Sequence, residues 1–218
     1  MPNAAPPLLP LAYDGSHIDG SLFTAITGLA RDTRWLNAPV EWWTNAGLGV
    51  FALLVVVGWW RARRRDAKAM TLALAAPVSI VVAFAVAEVV KKYVGELRPC
   101  RSVPHAFIVE ACPAPGDYAF PSGHVTAAAA AVAALWLLDR RLAAIAAVFA
   151  VLEAFTRVYV GGHYPHDVVG AAILAVPAAL LTSLALRRTA TPLVARWRAG
   201  GALAPVLTAD PAGTRAAD

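Results

Sequence analysis

At 218 residues the chain is long enough for one domain, and it combines 59% hydrophobic with only 15% charged residues and a mean hydropathy of +0.58. A soluble globule carries about a quarter charged residues, so this composition excludes one and places the chain in a bilayer. The formal net charge of +5 is accounted for by basic loops facing anionic lipid head groups, and it calls for no nucleic-acid partner.

The opening MPNAAPPLLPLAYDGSHIDG has no basic segment followed by an apolar core, so it does not read as a cleaved signal peptide. Residues 21–30 are too short to span, and LARDTRWL adds charge after them. Residues 19–37 are therefore expected as an amphipathic helix lying in the interface, within an extracytoplasmic leader of residues 1–40. Five apolar runs follow, at 42–60, 69–90, 121–138, 142–156 and 168–186, against a spanning requirement of about 17–25 residues. The expected fold is all-α, a polytopic bundle of five transmembrane helices over residues 41–188. The fourth run is short unless it continues to Val160, which puts Arg157 in its last turn, facing protein or water. Pro77 and Pro177 fall inside spans and are expected to kink them. The alanine run TAAAAAVAAL suits close helix packing. The tail from 189 to 218 is expected to lie on the cytoplasmic surface or to be disordered.

Basic residues cluster in RARRRDAK, in Arg140-Arg141 and in Arg187-Arg188, all on one side if the five helices alternate. The positive-inside bias makes that side cytoplasmic, with the N-terminus outside and the C-terminus inside. Trp42-Trp43 and Trp59-Trp60 bracket the first span as interfacial aromatics. Cys100 and Cys112 both fall in the connection between the second and third spans, on the oxidising side. A disulfide closing that loop is expected, worth about 3 kcal/mol on the chain-entropy model, with two free thiols as the alternative.

Every other suggestive polar group lands on the outer side. KKYVGELRP leaves the second helix with Lys91, Lys92 and Arg98; FPSGHVT enters the third with Ser122, Gly123 and His124; TRVYVGGHYPHD joins the fourth to the fifth with Arg157, His163, His166 and Asp167. Cations, a Ser-Gly turn opening a helix with free backbone N–H groups, and histidines together make a phosphate site with a nucleophile. Lys91 and Arg98, seven apart, are expected on one helix face. Asp167 can accept from one nitrogen of His163 and leave the other free to attack phosphorus. Glu153 is expected to pair with Arg157, and Lys92 with Glu88, each four residues apart. His17, His105 and His166 read more simply as interfacial anchors.

These segments resemble the signature of the type 2 phosphatidic acid phosphatase superfamily, which also holds the vanadium haloperoxidases. The matching residues are Lys91 with Arg98-Pro99, Pro121-Ser122-Gly123-His124, and Arg157 with His163 and Asp167; Thr156 stands where the family has serine. The resemblance covers residues 70–186. It implies that His163 is the nucleophile forming a phosphohistidine, oriented by Asp167, and that His124 protonates the leaving group. Lys91, Arg98, Ser122, Gly123 and Arg157 would then bind phosphate. It implies no metal or other cofactor, in keeping with the lack of an HExxH motif.

The expected function is an integral-membrane lipid phosphatase acting at the outer leaflet, with no obligate protein partner. Its layout looks most like the bacterial undecaprenyl-diphosphate phosphatases. Phosphatidic acid, phosphatidylglycerophosphate or another prenyl phosphate are the alternative substrates. A haloperoxidase is argued against by the five apolar spans, and a non-catalytic lipid-phosphate binding or transport protein by the presence of His124, His163 and Asp167 together.

Overall fold

The computed structural model describes residues 13–209, so the first twelve residues of the expected leader and the last nine of the tail lie outside the described residues. The described elements are helices: α1 (Ser16–Asp32), α2 (Arg34–Ala46), α3 (Leu48–Ala62), α4 (Ala67–Val94), α5 (Pro99–Ser102), α6 (Gly123–Leu138), α7 (Arg140–Tyr159), α8 (Pro165–Ala199) and α9 (Ala204–Leu207).

Each expected apolar run lies mostly in one or two of these helices. By length and composition α4, α7 and α8 can each cross a membrane, and α2 with α3, bent by 42°, can make a fourth crossing. Helix α6 has 16 residues, or about 24 Å at 1.5 Å per residue, which is less than the ~30 Å hydrocarbon core. It sits at the centre of the bundle, touching α3, α4, α7 and α8. Ala128, Ala130 and Ala131 are wholly buried, and small side chains there let the neighbouring backbones approach. A Ser79–Ser183 hydrogen bond of 2.8 Å joins α4 to α8, and both helices continue through Pro77 and Pro177. The chain is a multi-pass membrane protein.

Local chemistry starts the helices at one end of this bundle. Asp66 Oδ1 accepts from the Ala69 N–H at 2.8 Å and Asp139 Oδ1 from the Arg141 N–H at 3.0 Å, capping α4 and α7. Asp139 also pairs with Arg61 at 3.0 Å, and Arg65 donates to the Leu138 carbonyl at 2.7 Å. The arginines of the first basic cluster therefore close one end of the bundle. The candidate catalytic segments lie at the other.

Three regions differ from expectation. The segment 19–37 is two helices, broken at Thr33 (φ −114°, ψ 47°), whose hydroxyl bonds the Leu29 carbonyl at 2.7 Å and meets the Tyr159 hydroxyl at 2.7 Å. Within α1, Phe23, Thr27 and Ala30 are buried against the bundle while Ile18, Leu22 and Leu29 form an exposed apolar stripe, a division suited to the bilayer interface. The run 42–60 is likewise broken, at Gly47, where a Cβ would stand 2.9 Å from the Trp43 indole. Lacking that atom, Gly47 lets Trp43 fold over the bend and stack on Phe149 at 5.5 Å. The tail is helical as far as Ala199 and then folds back: Val194 and Leu207 are buried in the core, and Arg63 donates to the Pro205 and Thr208 carbonyls at 2.8 and 3.1 Å.

Candidate active site

The site is built where four chain segments end together. Helix α4 stops at Gly95, whose left-handed backbone (φ 64°) turns the chain out of the helix just after Lys91. Arg98 therefore lies beyond α4, in an extended segment leading to α5, and not on the helical face expected to carry it with Lys91. The two cations still meet, because the turn brings Arg98 back over the helix end. Lys91, Arg98, Gly123, His124, Arg157 and His163 line one cavity of about 380 Å³, and Leu48, Phe84 and Ala127 form its apolar side. A Cβ on Gly123 would stand 3.2 Å from Phe84 and 4.0 Å from Lys91 Nζ, so the missing side chain keeps this part of the cavity open. Ser122 and Asp167 stand behind the lining and are completely buried. The Ser122 N–H donates to the Asp167 carbonyl at 3.3 Å, tying the second motif to the third. Ser122 Oγ makes no hydrogen bond among the described residues.

His163, in the turn between α7 and α8, is 1% exposed. Arg98 Nη1 lies 2.9 Å from its Nε2 and also donates to the Gly162 carbonyl at 2.9 Å. A guanidinium can only donate, so Nε2 accepts and the imidazole carries its proton on Nδ1. That proton faces Asp167 Oδ2 at 3.3 Å. Burial, followed by the charges of Arg98, Arg157 and Lys91, holds the His163 pKa well below the ordinary imidazole value. The ring is thus neutral, with the lone pair of Nε2 on the cavity side. Asp167 is fixed in turn by the Tyr164 N–H, which donates to Oδ2 at 2.8 Å and so caps the start of α8.

Arg157 ends α7 and is 2% exposed, as its place in the last turn requires. Its partner is not Glu153 directly. Nη1 donates to Thr44 at 3.0 Å, Thr44 donates to Glu153 Oε1 at 3.4 Å, and Nη2 pairs with Glu110 at 2.7 and 3.1 Å. Gly162 makes room for that pair, since a Cβ there would lie 2.3 Å from Glu110 Oε2. Glu88 bonds Lys91 at 3.0 Å, three residues away, in place of the expected Lys92. Asp117 holds Arg98 at 2.8 Å and approaches Lys91 at 3.9 Å. Thr156, the departure from the family serine, donates to the Glu153 carbonyl of its own helix at 3.0 Å.

Sequence reasoning did not single out Glu110, Asp117 or Thr44. The two carboxylates belong to the connection between α5 and α6, which a Cys100–Cys112 disulfide anchors with Cα atoms 5.9 Å apart. Each occupies a cation that a phosphate oxygen would also seek. Loop acids just upstream of a Ser-Gly-His turn, in a chain with few acids, were the available signal.

A family model described as PAP2 superfamily matches residues 72–190, more than half of the chain and all three motifs. The chain belongs to the PAP2 superfamily. An undecaprenyl-diphosphatase of Sulfolobus acidocaldarius is 36% identical over 98 residues, covering 44% of this chain and 47% of that protein. Undecaprenyl-diphosphatase BcrC of Bacillus subtilis is 27% identical over 156 residues, 71% of this chain and 77% of its own length. The bacitracin transport permease protein BcrC of Bacillus licheniformis is 27% identical over 169 residues, 76% and 79% of the two chains. The match thus spans less than half of the archaeal relative and over three quarters of each Bacillus protein. No solved structure matches the chain. The PAP2 motifs gather here around one neutral imidazole, and the cations beside it can bind a phosphoryl group and stabilise charge as it builds.

Two outcomes follow from this arrangement. Asp117→Asn removes a carboxylate that competes for Arg98 and Lys91, so inorganic phosphate should inhibit the variant at roughly two- to fivefold lower concentration, the worth of a half-exposed ion pair. An unchanged inhibition constant contradicts that competition. His163 should stay neutral as pH falls through the ordinary imidazole value of about 6.5, which nitrogen NMR of histidine-labelled protein checks. A His163 ring that gains its second proton at or above that pH contradicts the assigned environment.

Proposed function

We propose that the protein is an integral-membrane lipid phosphatase that cleaves a polyprenyl diphosphate, with undecaprenyl diphosphate the best candidate, through a phosphohistidine on His163. The observation that carries this reading is the cavity in which three motifs distant in sequence surround His163 Nε2, with Leu48, Phe84 and Ala127 forming an apolar wall beside seven ionisable groups. Such a cavity suits an amphiphile whose phosphate meets cations while its chain remains among apolar side chains. Relatives named undecaprenyl-diphosphatase narrow the choice among lipid phosphates.

In the proposed reaction the arriving phosphate draws the Arg98 Nη1–H from His163 Nε2 onto its own oxygens and frees the lone pair. Nε2 then forms a bond to phosphorus as the bond to the bridging oxygen breaks. Lys91, Arg98 and Arg157 offset the charge on the equatorial oxygens, joined by Ser122 Oγ–H and the N-terminal amides of α6 at Gly123. His124 gives its proton to the departing lipid phosphate. Asp167 stabilises the Nδ1–H of the phosphorylated ring. His124 then takes a proton from water as it attacks the phosphohistidine, releasing inorganic phosphate and restoring the neutral imidazole. Charge stabilisation in this scheme comes from the protein's own cations.

The site is assigned to the extracytoplasmic face, with the N-terminus outside and the C-terminus inside. This is supported by the arginines at the opposite end of the bundle and by the positive-inside bias, and by a disulfide in the loop above the cavity. An exposed cysteine probe, Ala114→Cys with Cys100 and Cys112 replaced by serine, should react with a membrane-impermeant thiol reagent in intact cells. Labelling only after lysis overturns the orientation.

The chemistry is tested with purified protein in EDTA on a panel of undecaprenyl diphosphate, phosphatidic acid and phosphatidylglycerophosphate. The diphosphate should be the best substrate. His163→Ala should lose at least about a thousandfold in rate, and His124→Ala should suffer most on the monoesters, whose alkoxide leaves poorly. Preference for a monoester contradicts the substrate assignment, and a near-normal His163→Ala enzyme contradicts the mechanism.

A further inference from the structure

His166, expected only as an interfacial anchor, occupies a built site of its own. Its backbone N–H donates to Asp19 Oδ2 at 2.7 Å, its Nδ1 lies 2.8 Å from Asp19 Oδ1, and its Nε2 lies 2.8 Å from Glu96 Oε1. Asp167 Oδ1 stands 3.6 Å from the same Nε2. The ring stacks on Tyr164 at 5.4 Å and on Phe120 at 6.3 Å. Glu96 is 1% exposed and Asp167 wholly buried, so two carboxylates are held out of water beside one imidazole.

The chain delivers these groups with some effort. Asp19 leaves helical geometry inside α1 (φ −147°, ψ 27°), and its carboxylate reaches α8. The Tyr13 N–H donates to the Gly95 carbonyl at 3.2 Å and the Leu97 N–H to the Tyr13 carbonyl at 2.8 Å, pinning the segment before α1 to the turn that carries Glu96. Gly15 lies so close that a Cβ would stand 1.8 Å from Glu96 Oε1 and 3.0 Å from His166 Cε1. Asp19 thereby adds a polar tie between α1 and the start of α8 to the apolar packing of Phe23 on Tyr164.

We infer that His166 is a positioning residue of the hydrolytic site: an imidazolium that docks α1 and supplies the positive charge that keeps Asp167 available to accept from His163 Nδ1. Ionised carboxylates only accept, so an imidazole with carboxylate oxygens at 2.8 Å from both nitrogens donates from both and is protonated. With both nitrogens so engaged, the ring has no lone pair for a metal ion, although Glu96, His166 and Asp167 are close enough together to suggest one. The groups facing the ring are Asp19 from α1, Glu96 from the turn after α4, Tyr164 and Phe120 from the flanking loops, and Asp167 from its own helix. Arg98 is the cation on the far side of Asp167. Without the imidazolium, Glu96 and Asp167 are two buried like charges that share a proton, and a protonated Asp167 no longer holds His163 in the attacking tautomer.

This inference rests on the proposed phosphatase reading, and the test separates the two. Initial rates with undecaprenyl diphosphate in EDTA are measured across the pH range for wild type, His166→Gln and His166→Lys. His166→Gln should lower kcat roughly tenfold to a hundredfold, the scale of lost outer-shell support, with KM nearly unchanged. Its acidic limb should move to higher pH, and His166→Lys, which restores a charge, should move it back toward wild type. An inactive wild type overturns the phosphatase reading. An active wild type with the same acidic limb in both variants overturns the role of His166, whatever their kcat. Where the variants fail to fold, nitrogen NMR of histidine-labelled wild type decides: one imidazole of the five should remain doubly protonated at pH values where an ordinary histidine is neutral. Five neutral rings there overturn the inference.

Discussion

His163 is held between a guanidinium 2.9 Å from Nε2 and a carboxylate 3.3 Å from Nδ1, in a place that water scarcely reaches. The remaining features of this end of the molecule can be understood as conditions for that arrangement. The buried ring must be neutral to be tolerated beside three cations, and the same neutrality fits the nucleophilic role proposed for it at ordinary pH. The carboxylate must be buried to bind one proton of one ring, so it needs the Tyr164 amide to fix it and a counter-charge nearby. Arginines 98 and 157 are themselves nearly buried, and unpaired charges there would be strongly destabilising. Asp117 and Glu110 meet that requirement while leaving cations that a phosphate can recruit.

The bundle serves this geometry through its thinnest component. Helix α6 is alanine-rich, centrally placed and too short to match the bilayer unaided, and its N-terminus opens into the cavity at Gly123. Small side chains allow α4, α7 and α8 to close around it, so that the ends of α4 and α7 and the start of α8 arrive at one level. At the opposite end, Arg61 on Asp139 and Arg65 on the Leu138 carbonyl fasten the other termini of the same helices. Charge is thus confined to the two ends of an apolar body, one basic and structural, the other mixed and chemical.

Much of this was legible in the residues, for identifiable reasons. Long apolar runs and fixed spacings between Lys91, Arg98, His124, Arg157, His163 and Asp167 are local properties, and they located the helices and pointed to the candidate site. What escaped depends on tertiary contacts. Glu110 and Asp117 lie in a loop with no periodicity, and only the folded chain shows which cations they meet. Lys91 bonds Glu88 because it also faces Asp117, a choice that spacing along a helix cannot make. Arg98 left the helix because Gly95 adopts a left-handed backbone, while Gly47 and Thr33 broke segments whose hydrophobicity is continuous. The Asp19–His166 contact joins positions 147 apart in sequence, and neither residue is among those that carry the family resemblance.

The central claim is that His163 Nε2 becomes covalently bonded to phosphorus. It is tested most directly by quenching the enzyme in alkali during turnover of a diphosphate carrying a labelled terminal phosphate, then locating the label by peptide mass spectrometry. The account predicts phosphate on His163 in wild type, accumulating further in His124→Ala, where attack by water loses its base, and absent from His163→Ala. Label on another residue, or inversion at a chiral terminal phosphorus showing one direct displacement by water, would contradict it.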